Sequence, residues 1–443
     1  MHLTRTRVSI RCPFSPAVPS AACRPAVEFL ESRTLLSATV ATAINPGGVA
    51  SATGGGGNVA AAPLIIVVPT LQVTVGKGHA RLVRFTDPDG TASQLVLGGL
   101  GAATVTLTGN GLSQSTTRSG IATVTGTPLS VSISTTGTTA ASSINITGRG
   151  GNGAVNIAGI TTDAALANIN GLNAALSGNL TAAAAVTNTK LASASGGTIT
   201  IGAGGPVNLK IVSASSENLT SAAPIRLLAA GSWAGGGTIS APSIARLAAT
   251  DFFSSDLNTS SLGVFTAGSI TGGHWSVSDN AAKVTTAAAT SWSPTFGTLG
   301  RLNVRGTIDS STIRASGNIL SIDALSLTNT NVYSGVGPLR RGARLPSVTT
   351  DFIAADTITS LRVAQSFVNS DVAAENLGNL SLGVVQLANG GTPFGLAAHQ
   401  IANLIASAGG RKLRLHDVIS AAQVTSALSA QGITPQDFVI RII

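Results

Sequence analysis

The sequence predicts an all-β protein built as a parallel β-helix, or β-solenoid, with rungs of about 20 residues and a small C-terminal helical cap. Three observations predict it. Short β-branched segments are punctuated by Gly, Asn, Pro or Ser, one stretch of the chain repeats within itself, and very few residues carry charge.

Composition sets the frame. Of 443 residues, 43% are hydrophobic, but only 10% are charged and 3% aromatic, and 52 are Gly. A disordered chain combines low hydrophobicity with high charge, so a packed core is expected, built from Val, Ile, Leu and Ala. No run of apolar residues reaches the length of about 18 that a membrane-spanning helix needs.

The strand pattern comes next. Leu71–Val75, Thr104–Thr108, Ser130–Ser134, Ser143–Thr147, Val155–Ala158 and Thr198–Gly202 alternate polar and apolar residues and end at turn formers. The Ala-rich stretches Ala164–Ala175 and Leu180–Val186 read as either helix or strand. Hairpin dipeptides are confined to Asp89-Gly90, Asn110-Gly111, Asn170-Gly171 and Asn389-Gly390.

The repeat decides the class. Segments starting at Ser243, Thr298 and Thr357 share an apolar second residue, Leu at the fifth place and Ser near the thirteenth. Segments from Ser261 and Asn318 join them with one-residue gaps. The interval from 261 to 298 should hold another rung, roughly Lys283–Phe296, with a longer loop. A unit of about 20 residues cannot bury its own apolar face, but stacked rungs can. The inward residues would be Ile244, Leu247, Leu299, Leu302, Val304, Ile308, Ile313, Ile319, Ile322, Leu325, Ile358, Leu361 and Val363. Ser, Thr and Asn would ladder along the stack. An antiparallel sandwich would show longer modules and more hairpin turns.

The body, residues 71–412, is followed by a cap at 413–443. Asp417 is the expected N-cap of a helix that buries Val418, Ile419, Val424 and Leu428, and Gly432 ends it. Phe438, Ile440 and Ile442 then alternate with Val439, Arg441 and Ile443.

The N-terminus carries an address. Residues 1–38 begin with basic residues, continue through small ones and end in Leu35-Leu36-Ser37-Ala38, which reads as an export leader. Residues 39–70 form a Gly/Ala-rich linker containing Gly54–Gly57. Leu30, Glu31, Arg33, Leu35 and Leu36, with Ser32 in place of the usual Pro, resemble the LEPR-XLL sorting motif of exported planctomycete proteins. The body is similar to uncharacterised planctomycete surface proteins with β-helical repeats. Segments from Thr198, Ser221, Thr238, Gly268 and Gln386 and the ending Asp437–Ile443 carry this likeness. The resemblance implies export to the cell surface and supplies no catalytic residues.

The formal charge is +9, and five of the 26 basic residues (Arg5, Arg7, Arg11, Arg24, Arg33) lie in the leader. The rest is thinly spread, apart from Arg340, Arg341 and Arg344 and then Arg411, Lys412 and Arg414, so no nucleic-acid partner is expected. Cys12 and Cys23 are the only cysteines, which leaves the body without thiol chemistry. Gly148–Gly153 fits G-x-G-x-x-G, but a strand rather than a helix should follow it, so no nucleotide cofactor is expected. Asp87 and Asp89 could offer two carboxylates to calcium, yet Asp-Pro-Asp-Gly is also a good turn.

The leading expectation is a structural or adhesive cell-surface protein without an active site. Its partners would be envelope polymer, polysaccharide or copies of itself. The alternative is a carbohydrate-active β-helix, lyase- or glycosidase-like. It would use the paired acids Asp251/Asp256 or Asp351/Asp356 in a groove lined by Phe252, Phe253, Trp275 or Trp292. Asp309, Asp323, Asp371 and Glu375 lie near these pairs, and His274 and His399 have no neighbouring ligands in sequence.

Overall fold

The computed structural model describes residues 68–443. The expected leader, its sorting motif and nearly all of the linker lie outside the described residues. Of the described residues, 68% are strand and 3% helix, and they wind about 13 turns of a parallel β-solenoid with rungs of about 19 residues.

Each rung has three sides, here A, B and C. In the strand Asp256–Thr271, residues 256–259 lie on side B, 261–267 on side A and 269–271 on side C. Each residue sits in register on its equivalent one turn away. Ile225, Ile244, Leu262, Ala281, Leu299, Ile319, Ile358 and Leu377 form one such inward column.

The repeat starts read from sequence stack on one another: Ser243 on Ser261, then Leu299 on Ile319 and Ile319 on Ile358. The rung missing between them begins at Asn280, which pairs with both Ser261 and Thr298, three residues before the expected start. Its loop is short. The long excursion instead follows the side-B strand Asn331–Ser334 and returns at Thr357.

The expected inward residues are buried, with one exception. A register shift between Ala324 and Ser326 turns Leu325 partly outward and puts Leu327 inside. Neither Ala-rich stretch is helical: the first lies largely in the strand Leu166–Ala182, and the second spans the corner between that strand and Val186–Ser195, because stacking supplies partners that local propensity does not foresee.

A cluster of rings fills the middle of the solenoid. Phe253 packs edge-on to Phe265 and Trp275, with centroids 5.3 and 5.7 Å away, and Trp275 packs against Trp292 at 4.8 Å. Edge-to-face contacts suit the ring quadrupole and resist sliding between rungs.

The corner between sides C and B needs a left-handed residue. Ser216, Ser291, Ser310, Asn329 and Asn369 have φ between 44° and 53° there. Asn tolerates that conformation better than most residues, and Gly adopts it freely. The next residue turns inward: Ser311, Thr330 and Ser370 are buried, and each hydroxyl donates to a carbonyl two residues back.

The body differs from expectation at its start. Between Thr70 and Arg149 most pairing is antiparallel: Thr70–Gly76 with Ala102–Thr116, Ala102–Thr116 with Ile121–Thr136, and Leu82–Thr86 with Ala92–Gly98. Hairpin turns such as Asp87–Gly90 make these local pairs possible. Regular parallel stacking begins where Ser132–Thr135 meet Gly159–Thr162.

The C-terminal end is covered, but not as the sequence suggested. Arg411–Val418 is a strand, antiparallel to Gln400–Ala408. The helix is Ala421–Ala430, and Ser420 is its N-cap, accepting from the Gln423 N–H; Asp417 instead takes a left-handed turn at φ 46°. Val418 and Val424 are buried, whereas Ile419 is 65% exposed. Phe438–Ile442 adds a last parallel strand onto Phe394–Ala398. Removing 413–443 would bare the edges of both underlying strands. That truncation is expected to aggregate, which size-exclusion chromatography with light scattering would show. A monodisperse truncation of unchanged melting temperature would contradict this role for the cap.

Candidate functional site

The paired acids of the sequence reading do not form pairs. Asp251 is exposed on Thr238–Phe253, and the Ser254–Ser255 corner separates it from Asp256. Asp256 accepts the His274 N–H at 2.7 Å, with His274 Nδ1 3.8 Å away. Asp351 accepts the N–H groups of Ser347 and Val348 at 2.7 and 3.2 Å, and the first of these holds its carboxyl below the ordinary range. It ties down the turn Thr349–Asp351. Asp356 faces elsewhere, toward Glu375. Burial and then that neighbouring charge push its carboxyl up.

The aromatic groove is also absent from these acids' surroundings. Phe253, Trp275 and Trp292 are core residues no more than 2% exposed, and only Phe252 reaches the surface. Large rings supply volume that a core of Val, Leu and Ala needs, so the solenoid takes them inside. Asp309 belongs to a corner ladder, and Asp323 lies 3.8 Å from Arg362 on the next rung.

Asp87 and Asp89 form the turn. Gly90 N–H donates to the Asp87 carbonyl at 2.9 Å, and Asp89 Oδ1 accepts the Thr91 N–H at 2.9 Å. Thr91 Oγ1 reaches the Gly150 carbonyl, which docks this turn on the Gly150–Gly153 turn. The latter joins two strands, Ser143–Arg149 and Val155–Thr162, so the G-x-G-x-x-G segment is a corner. Among the described residues, no group of three His, Cys, Asp or Glu side chains is placed to hold a metal ion.

The densest polar chemistry lies under the excursion 335–356, which crosses the outer face of side B. The strands Asp371–Ala373 and Phe394–Ala398 are buried at every residue, as strands covered on both faces are. Inside lies the solenoid core. Outside lies a second small core of Tyr333, Val336, Leu345, Ala373 and Ala397. Arg344 pins the excursion: its Nε lies 2.7 Å from Asp371 Oδ2, and its Nη2 donates to the Asn369 carbonyl at 2.7 Å. Asp371 also accepts the Gly395 N–H at 3.0 Å. Gly395 is required there, since its φ is +142° and a Cβ would lie 2.1 Å from the Val439 carbonyl oxygen. Burial pushes the Asp371 carboxyl up, and Arg344 opposes that rise. Tyr333 donates to the Arg344 carbonyl, and Arg314 lies 4.8 Å over its ring. Beside this cluster His399 Nδ1 is 3.1 Å from Glu375 Oε1, and its ring packs on Phe352. These contacts fasten a loop to a sheet. Sequence signalled the Arg340–Arg344 run but not its buried partner.

Two columns of mostly half-buried amides run along the rungs. Asn188 Nδ2 donates to Asn168 Oδ1 at 3.1 Å, Asn208 Nδ2 to Asn188 Oδ1 at 2.9 Å, and Arg226 Nε to Asn208 Oδ1 at 3.1 Å. At the C–B corner, Asn329 donates to Asp309, Asn369 to Asn329 and Asn389 to Asn369, at 3.3, 2.7 and 2.8 Å. Beside the first column, a groove of about 180 Å³ is lined by Ser143, Asn145, Asn168, Asn170, Asn188 and Lys190. No helix among the described residues is long and apolar enough to cross a membrane. No known protein family, curated protein or solved structure matches the chain.

Two outcomes follow from these contacts. Arg344→Met strands the buried Asp371 charge, so the excursion should loosen at a cost of about 3 kcal/mol, seen as faster hydrogen exchange of 335–356 and a lower denaturation midpoint. Burial pushes the Asp87 carboxyl from 3.8 up to about 6. The folded chain therefore holds this proton more tightly than the unfolded one, and its contribution to stability falls as pH rises from about 4 to about 6. Asp87→Asn should remove that fall, measured by urea midpoints across the window. An equal fall in the variant would assign it to another group.

Proposed function

We propose that this chain is an exported, non-catalytic scaffold or adhesin whose long faces contact polymer of the cell envelope. The observation that carries the reading is the parallel stack that runs from Val155 to Ala408. It lines up equivalent side chains rung after rung, so its flat faces present periodic columns of amides and hydroxyls, of which Asn168, Asn188 and Asn208 are one. A periodic face matches a periodic linear polymer, because one register of contacts repeats along both. Export is supported by the likeness of Leu30–Leu36 to the planctomycete sorting motif. The side chains that a glycosidase would bring together, such as Asp251 and Asp256, are each engaged or exposed separately, which favours binding over hydrolysis.

The test is co-sedimentation of the purified chain with isolated cell-envelope polysaccharide, beside sedimentation velocity of the chain alone. Association with the polymer or with itself is expected, with no release of reducing sugar. A chain that stays monomeric and free in solution would overturn the reading. Sugar release abolished by Asp251→Asn would replace it with the enzymatic one.

A further inference from the structure

The positive charge that looks thinly spread in sequence is gathered on one face by the register. Lys190 pairs with Lys210 on side A, and Lys283 pairs with Arg301. Arg246 shares the column of Lys283 through Val264, and Arg226 lies on the strand between Lys210 and Arg246. All six are exposed. Consecutive strands lie about 4.8 Å apart, so the six steps from the strand of Lys190 to that of Arg301 make a basic stripe about 29 Å long, parallel to the solenoid axis. Among the described residues, none of these six cations lies within ion-pair distance of an acid. The acid on this outer face beyond the stripe, Asp323, is beside Arg362.

This arrangement is unfavourable for folding alone. Like charges directly opposite on neighbouring strands repel, and two such pairs stand here in a chain with 10% charged residues. An anionic ligand relieves the repulsion. Between the cations the face is made mostly of small residues, with Asn188, Asn208, Thr266 and Asn303 turned outward among Ala245, Ala248, Ala282, Gly263 and Gly300, and one exposed apolar side chain, Val264, in the column between Arg246 and Lys283. Such a surface accepts a sugar ring and its hydroxyls. It offers no aromatic platform for nucleobases, since Phe265 of this side points into the core.

We propose that side A from Lys190 to Arg301 binds an acidic linear polysaccharide, carrying carboxylates along its length, laid parallel to the solenoid axis. This rests on the polymer-contacting role above and names the ligand's charge and the face that takes it.

Affinity electrophoresis and calorimetry of the full-length chain would use polygalacturonate, neutral dextran and single-stranded DNA as probes. Polygalacturonate should bind, weakening at least about tenfold between about 50 and about 300 mM salt. The variant Lys190→Gln/Lys210→Gln/Lys283→Gln/Arg301→Gln should lose at least about tenfold in affinity with an unchanged circular dichroism spectrum. Arg340→Gln/Arg341→Gln, which removes charge from the excursion, should bind as the parent does. If the fourfold variant folds poorly, Lys210→Gln and Arg301→Gln singly should each lose about twofold or more. Equal binding by parent and side-A variants overturns the proposal, as does tighter binding of DNA. Binding of dextran but not polygalacturonate overturns it too, while leaving the polymer-contacting role standing. Failure of all envelope polymers removes both.

Discussion

The structure depends on one constraint: every side chain must tolerate its own equivalent about 4.8 Å above and below it. A globular core mixes unlike neighbours. Here Ile244 meets Ile225 and Leu262, and Asn188 meets Asn168 and Asn208. Apolar columns satisfy the constraint by dispersion and burial, and amide columns satisfy it by donating from one rung to the next. Charges do not satisfy it, which accounts for a chain so rich in Ser, Thr, Ala and Gly. The corners obey the same rule, because a left-handed residue such as Asn329 must be followed one rung later by another such as Asn369.

A stack also has two ends and an outer surface, where the constraint cannot apply. At the beginning, antiparallel hairpins replace rungs. At the finish, Arg411–Val418 reverses direction, so the edge of Gln400–Ala408 is paired without offering a further parallel edge. Along side B, the excursion 335–356 buries a carboxylate that would otherwise face water. Asp371 is tolerated because Arg344 and the Gly395 N–H both meet it. The excursion is thus a local departure from the repeat, held by specific polar contacts rather than by stacking.

What was legible in the sequence follows from what repeats. The starts at 243, 261, 298, 318 and 357 were readable because an inward column needs similar residues at a fixed interval. Leu325 was misplaced because a one-residue register shift flips a strand's facing, and the shift leaves no mark in the residue pattern. The antiparallel opening was missed because its strands alternate as any half-buried strand does. The helix cap was displaced from Asp417 to Ser420 because both are good caps, and the strand Arg411–Val418 runs past the first. Asp251 and Asp256 are close in sequence but a corner lies between them, and Asp351 and Asp356 lie in the excursion, where one carboxylate caps the turn Thr349–Asp351 and the other faces Glu375, so sequence proximity does not become a carboxylate pair.

Charge shows the limit most clearly. Consecutive members of the series Lys190, Lys210, Arg226, Arg246, Lys283 and Arg301 are 16 to 37 residues apart, so no short window of sequence contains a cluster. Only the register converts that spacing into adjacency. The same conversion multiplies consequences: one Lys per rung is an ordinary surface residue, whereas one Lys per rung in two successive rungs is a repulsive pair unless something anionic lies across it. A fold that excludes charge almost everywhere, yet keeps it in register on one face, has an energetic reason to hold a polyanion there.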